Sequence, residues 1–174
     1  MTLGMVILGR QGSGKGTQAV HIAEQFQIVH ISTGDMLRSA VQEGTELGLK
    51  AKSIMDSGGL VTDDVVNGIV AERLAKDDVQ NSGFLLDGYP RTVGQATELK
   101  QLVGESLKLA INLDVSIEEV TQRMMSRGRE DDTPEAIARR LELYEAETAP
   151  LIEWFENENI LCVIDGLGLS LIHI

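Results

Sequence analysis

The stretch Gly9-Arg10-Gln11-Gly12-Ser13-Gly14-Lys15-Gly16-Thr17 follows a short apolar run, residues 3–8 (LGMVIL), and precedes apolar positions Ala19, Ile22, Ala23 and Phe26 at helical spacing. An apolar run of this length is expected as a parallel strand buried on both faces, so the stretch reads as strand, glycine-rich loop, helix. It fits GxxxxGK, with Gly16 where Ser or Thr usually stands and Thr17 next. Glycines let the backbone curl until several N–H groups point at one anion, and the following helix adds its positive end. Lys15 then neutralises charge on the β and γ phosphates. Glycines after a strand can also make a plain turn, but a lysine at this offset, between strand and helix, favours the phosphate loop.

Working outward, apolar runs recur around residues 27–31, 84–86, 107–113 and 160–164, separated by helical patterns. Alternating strands and helices imply a parallel sheet. Ser116 with Glu119 predicts a capping box, and Thr133 before Pro134 predicts a cap with proline at the first helical position. Residues 33–78 carry helical patterns without a convincing strand, broken at Gly44 and at Ser57, Gly58 and Gly59, so a helical insertion is expected there.

A formal charge of −12 argues against a nucleic acid polymer as partner, because binding a phosphate backbone needs a broad basic surface. The basic residues are instead local: Lys15, Arg38, Arg91, Arg123, Arg127, Arg129, Arg139 and Arg140 fall within the motifs. A length of 174 residues suits one domain. The N-terminal MTLGMVILGR has no basic region or cleavage site, and no apolar run is long enough to span a membrane. Cys162 alone allows no internal disulfide or multi-thiolate zinc site, so a cytoplasmic location is expected.

Two further segments suggest anion chemistry. His30-Ile31-Ser32-Thr33-Gly34-Asp35-Met36-Leu37-Arg38 leaves the second strand and enters a helix, with Thr33 at its start and Arg38 about a turn on. Gly83-Phe84-Leu85-Leu86-Asp87-Gly88-Tyr89-Pro90-Arg91 delivers Asp87 and Arg91 to the carboxyl edge of the sheet, where open α/β sheets bind ligands. Later, RMMSRGREDDTPEAIARR gathers five arginines between Arg123 and Arg140, with Arg123 and Arg127 on one helix face. Surface ion pairing is the bland alternative for Arg38 and Arg91, as is a solvated charged loop for RGREDD. Asp35 and Asp87 are candidates to orient Mg2+ through water, with Thr17 as a further ligand, or else to cap or pair with arginine. His21, His30 and His173 lack metal-ligand spacing, and packing is expected for them and for Trp154 and Phe155.

GxxGxGKGT, STGDMLR, GLVTD and GFLLDGYPRT in this order, with an arginine-rich segment after the fourth strand, closely resemble the adenylate kinases over residues 3–166. The resemblance implies an α/β fold of P-loop NTPase type, a parallel five-stranded sheet flanked by helices, in a single kinase domain of residues 1–174. A helical AMP-binding arm over 32–61 and a short lid over about 126–134 are its insertions, and the lid is too short and cysteine-free to hold structural zinc. It implies Mg2+-dependent transfer of the terminal phosphoryl of ATP onto AMP, giving ADP, by a monomer. ATP is then bound by Gly12, Ser13, Gly14, Lys15, Gly16, Thr17, Arg127 and, through its backbone, Gly168. AMP is bound by Thr33, Arg38, Gly59, Leu60, Val61, Gly88, Tyr89, Pro90, Arg91, Gln95, Arg129 and Arg140, with Gln95 reading the adenine edge. The catalytic cations are Lys15, Arg91, Arg123, Arg127, Arg129 and Arg140, while Asp131 and Asp132 form a hinge-side pair and Arg139 faces elsewhere. Thr33 favours AMP, because related uridylate-cytidylate kinases carry SAGD where this chain has STGD.

The chain departs from that pattern in three places. Gln11 replaces the usual proline, Arg10 adds a charge beside it, and the ending Leu167–Ile174 differs from the loop and final helix of relatives. A missing C-terminal helix, an uncovered core face and an uncertain Gly168 contact are therefore expected. The competing expectations are a kinase of the same fold acting on UMP or CMP, and a nucleotide-binding chain without useful turnover.

Overall fold

The computed structural model describes residues 2–44, 48–49, 52, 54, 59, 61–129 and 132–168. Five parallel strands form one sheet: β1 (Gly4–Leu8), β2 (Val29–Ser32), β3 (Phe84–Asp87), β4 (Leu107–Asp114) and β5 (Leu161–Asp165), in the order β2-β3-β1-β4-β5. The register pairs Ile7 with Asp87 on one side and with Ile111 on the other. Because every strand runs the same way, the segments leaving β1, β2, β3 and β4 emerge at one edge. β1 lies between β3 and β4, so its loop is flanked by both of their exits.

Every residue of β1 is buried, as its apolar run predicts. Its alternation divides the core: Val6 and Leu8 face a cluster with Leu86, Val70, Leu99, Leu151 and Phe155, while Met5 and Ile7 face Ala19, Ala23, Leu85 and Ile111. The second face is covered by α1 (Lys15–Phe26). The first is covered by α3 (Asp63–Leu74), α5 (Val93–Val103) and α8 (Pro150–Asn157), with α2 (Thr33–Gln42) and α4 (Asp77–Ser82) nearby. At the sheet's edge, β5 leaves Cys162 exposed and Val163 56% exposed.

A third apolar cluster, Val115, Val120, Met124 and Ile137, sits beneath α6 (Ile117–Arg127) and α7 (Pro134–Leu143) and seats the arginine-bearing helices on the sheet edge. The local chemistry at their starts matches the sequence. Ser116 Oγ accepts from Glu119 N–H at 3.3 Å, Thr133 Oγ1 accepts from Ala136 N–H at 3.1 Å, and Pro134 is the first helical residue. The Glu119 carboxylate does not close the capping box; it accepts from Arg123 Nε at 2.7 Å. Between β2 and β3 the described residues contain helices and no strand, in keeping with the expected insertion. No helix among the described residues is long and apolar enough to cross a membrane.

Candidate active site

A cleft of about 780 Å3 opens at the carboxyl edge, within the size range of small-molecule sites. Lys15 and the six arginines Arg38, Arg91, Arg123, Arg127, Arg129 and Arg140 line it, so cations are concentrated here in a chain of net charge −12. The phosphate loop forms its floor. At Gly12, φ is +89° and a Cβ would lie 2.8 Å from the Val120 carbonyl, so only glycine lets the loop rest on α6. Lys15 Nζ donates to the Gly9 and Arg10 carbonyls at 2.7 and 2.9 Å. Burial lowers its pKa to about 8; Asp87 pulls it up, and Arg91 and Arg127 push it down.

On the opposite wall, Arg91 Nε donates to the Gly88 carbonyl at 3.0 Å. Burial lowers the pKa of the Arg91 guanidinium against the attraction of Asp87. Arg38 is paired with Asp35 one helical turn away. Burial works to raise the Asp35 carboxyl, but hydrogen bonds from Arg38 and Ser32 outweigh it and hold the pKa below the usual carboxylate value. Arg127 and Arg140 converge on Asp132, whose side chain is 2% exposed, with Arg127 Nη2 and Arg140 Nη1 each 2.8 Å from Oδ1. Burial opposes that charge too, and the two guanidiniums hold it ionised. Arg123 spans Glu119 and, at 3.4 Å, the Ser13 carbonyl of the loop.

The expected residues Gly12, Gly14, Gly16, Thr17, Asp35, Gly59, Val61, Asp87, Gly88 and Pro90 also line the cleft. Others do not reach its surface. The Ser13 hydroxyl is buried and makes no hydrogen bond. Thr33 is 3% exposed and its hydroxyl donates to the Gly88 carbonyl at 2.9 Å. Gly88 has φ +81°, and a Cβ there would come within 2.9 Å of that hydroxyl. Tyr89 is buried, and its hydroxyl donates to Asn67 Oδ1 at 2.8 Å. Gln95 is buried with both ends of its amide engaged: Oε1 accepts from Arg91 N–H and Nε2 donates to Asp63 Oδ1, each at 2.7 Å. Thr33, Tyr89 and Gln95 thus support the cleft wall from behind. Gly168 is exposed and is not among the residues lining the cleft, Arg139 is exposed as expected, and Leu60 and Asp131 lie outside the described residues.

Two polar lining residues, Tyr144 and Thr148, lie outside every quoted motif, and His30 lines the cleft from the start of its own segment. His30 Nε2 is 3.8 Å from Asp87 Oδ2 and without a hydrogen bond, where packing was expected. Tyr144 and Thr148 follow Arg140 at steps of four, the spacing of one helix face, and that periodicity is the signal that could have found them.

Such a cleft can hold two phosphate chains end to end while charge moves between them, which puts the molecule among the phosphate-loop phosphotransferases. A model of the adenylate kinase family matches residues 7–160. An adenylate kinase of Oenococcus oeni is 49% identical over 172 residues, covering 97% of this chain and 92% of that protein. One of Stenotrophomonas maltophilia is 46% identical over 171 residues, covering 94% and 91%. Adenylate kinase 1 of a Nostoc species is 49% identical over 165 residues, covering 93% and 89%. The chain belongs to the adenylate kinase family, and its activity is that of an adenylate kinase.

Proposed function

We propose that the chain moves the terminal phosphoryl of ATP onto AMP, reversibly, in the cleft described above, as a cytoplasmic monomer. The observation that carries this reading is the gathering in one cleft of Lys15, on the loop after β1, with Arg38 and Arg91, on the exits of β2 and β3. An acceptor phosphate against the two arginines has one oxygen directed at the γ phosphorus of a nucleotide in the loop. That oxygen forms the new P–O bond as the bond to the β-phosphate oxygen breaks, and ADP forms on both sides. Lys15 exchanges its two carbonyls for phosphate oxygens. Arg123, Arg127, Arg129 and Arg140 neutralise the charge spread over the migrating group, which needs positioning and electrostatics rather than a covalent intermediate. Arg38 and the pair Arg127 and Arg129 sit on separate insertions, so the arm over 32–61 and the lid over about 126–134 close inward to shield the reaction from water.

Mg2+ fits this donor set. The ion usually keeps several waters and binds through one or two carboxylates plus phosphates, and among the described residues no three His, Cys, Asp or Glu gather into a metal cage. Asp87, whose Oδ2 lies 3.4 Å from where a Cβ on Gly16 would be, and Thr17, which lines the same cleft, would hold it. Asp35 is committed to Arg38 and fits less well. Bound there, the ion would supply charge neutralisation on the transferring phosphates. Purified chain assayed for ADP formation from ATP with AMP, UMP, CMP or GMP, with and without Mg2+, tests the reading. Preferential, Mg2+-dependent turnover of AMP is expected; a preference for UMP or CMP, or binding without turnover, would replace it.

A further inference from the structure

Arg10 stands where a phosphate loop ordinarily carries no charge, and its side chain leaves the loop altogether. Its Nε and Nη2 lie 2.9 and 2.7 Å from Glu145 Oε1, Nη1 donates to the Val115 carbonyl at 3.0 Å, and the guanidinium sits 5.4 Å from the centre of the Tyr144 ring. The Arg10 carbonyl, meanwhile, accepts from both Lys15 Nζ, at 2.9 Å, and Ser13 N–H, at 3.1 Å. One residue thus holds the catalytic lysine through its backbone and a distant helix through its side chain.

The partner helix is irregular where Arg10 meets it. Residues Tyr144–Thr148 form a π-helical turn, closed by an i→i+5 bond from Ala149 N–H to the Tyr144 carbonyl at 2.8 Å. Such turns are costly and tend to persist at functional sites. At its far end, Thr148 Oγ1 donates to the Arg91 carbonyl at 2.8 Å. Glu145 is 46% exposed, so its ion pair with Arg10 contributes little stability by itself. What the contacts do is fix a length: the turn runs from the residue that holds Lys15 to the residue that faces the acceptor phosphate.

We propose that the turn Tyr144–Thr148 is a strut that sets the spacing between the donor-phosphate loop and the Arg91 wall, with Arg10 and Thr148 as its positioning residues. This rests on the phosphoryl-transfer reading of the same cleft. The test uses Arg10→Ala, Glu145→Gln, Thr148→Val, Thr148→Ser and the double variant Arg10→Ala/Thr148→Val. Melting temperature, calorimetric Kd for a non-hydrolysable ATP analogue and for AMP, and kcat are measured for each. Misplacing reacting groups by a fraction of an ångström lowers kcat on the order of tenfold in each of Arg10→Ala and Thr148→Val. Arg10→Ala weakens the ATP analogue, Thr148→Val weakens AMP, and Thr148→Ser restores the native values. Because both variants cut one strut, the double variant loses no more kcat than the worse single. Losses that multiply in the double variant, or a lowered melting temperature with unchanged kcat and Kd, overturn the proposal. Should Arg10→Ala fail to fold, Glu145→Gln, at an exposed position, carries the same comparison. A wild-type chain that binds both nucleotides but transfers nothing refutes the functional reading instead, and the paired Kd values still judge the strut.

Discussion

The two walls of the cleft are built in opposite ways. The phosphate loop is one contiguous stretch whose lysine is satisfied by its own backbone, at the Gly9 and Arg10 carbonyls. The arginine wall is assembled from α2, the β3 exit, α6 and α7, and two of its members share the buried Asp132 carboxylate. A backbone-built anion site comes with the fold and tolerates little change. A side-chain-built site depends on counter-charges that must yield when phosphate arrives, so damage to it is expected to be graded.

Breaking the loop should therefore have the largest effect. Lys15→Ala is expected to lower kcat for ADP formation roughly 100- to 1000-fold, the loss typical of one preorganised charge-stabilising group. Turnover within threefold of wild type would sink the assignment of Lys15. On the opposite wall, Asp132→Asn removes the charge shared by Arg127 and Arg140. Because those guanidiniums border an open cleft, the cost is less than for a fully buried pair, about 2 kcal/mol, read as a melting temperature lowered by about 4–8 °C.

The pH dependence sharpens the contrast further. Lys15, depressed from 10.5 to about 8 in the free chain, loses its proton as pH rises through that value. Hence kcat/KM for ATP should fall roughly tenfold per pH unit above it, whereas the arginines keep their charge. A limb appearing only near 10.5 would show that the lysine is not desolvated as described. The smallest effect is expected from Thr33→Ala, which removes the hydroxyl that ties α2 to Gly88. The AMP-over-UMP ratio of kcat/KM should drop about fivefold, the scale of one hydrogen bond. An unchanged ratio would assign acceptor choice elsewhere.

The same contrast explains what the sequence could reveal. The loop, all five strands and the caps at Ser116 and Thr133 are local, so period and motif sufficed to read them. The six cleft arginines could be picked out as residue types, but their partners could not. Arg10 meets Glu145 from 135 positions away, and nothing in RGREDD distinguishes the carboxylate that ends up 2% exposed between two guanidiniums. Thr33, Tyr89 and Gln95 show a different limit: a motif marks the position, while side-chain direction follows from competition among nearby partners, here Gly88, Asn67 and Asp63. Spacing could place Thr148 on the face of Arg140 and Tyr144, but the partner of its hydroxyl, the Arg91 carbonyl 57 positions away, leaves no local signal.

The depressed pKa of the buried Lys15 amino group also couples nucleotide binding to protons. With its pKa lowered to about 8 by burial, Lys15 is expected to lose its proton above that pH when no phosphate is bound. A phosphate anion placed on that amine restores the charge, so binding draws a proton from the surrounding buffer. The heat of nucleotide binding at alkaline pH then includes the ionisation enthalpy of the buffer, and titrations in two buffers of different enthalpy would differ by that amount per site.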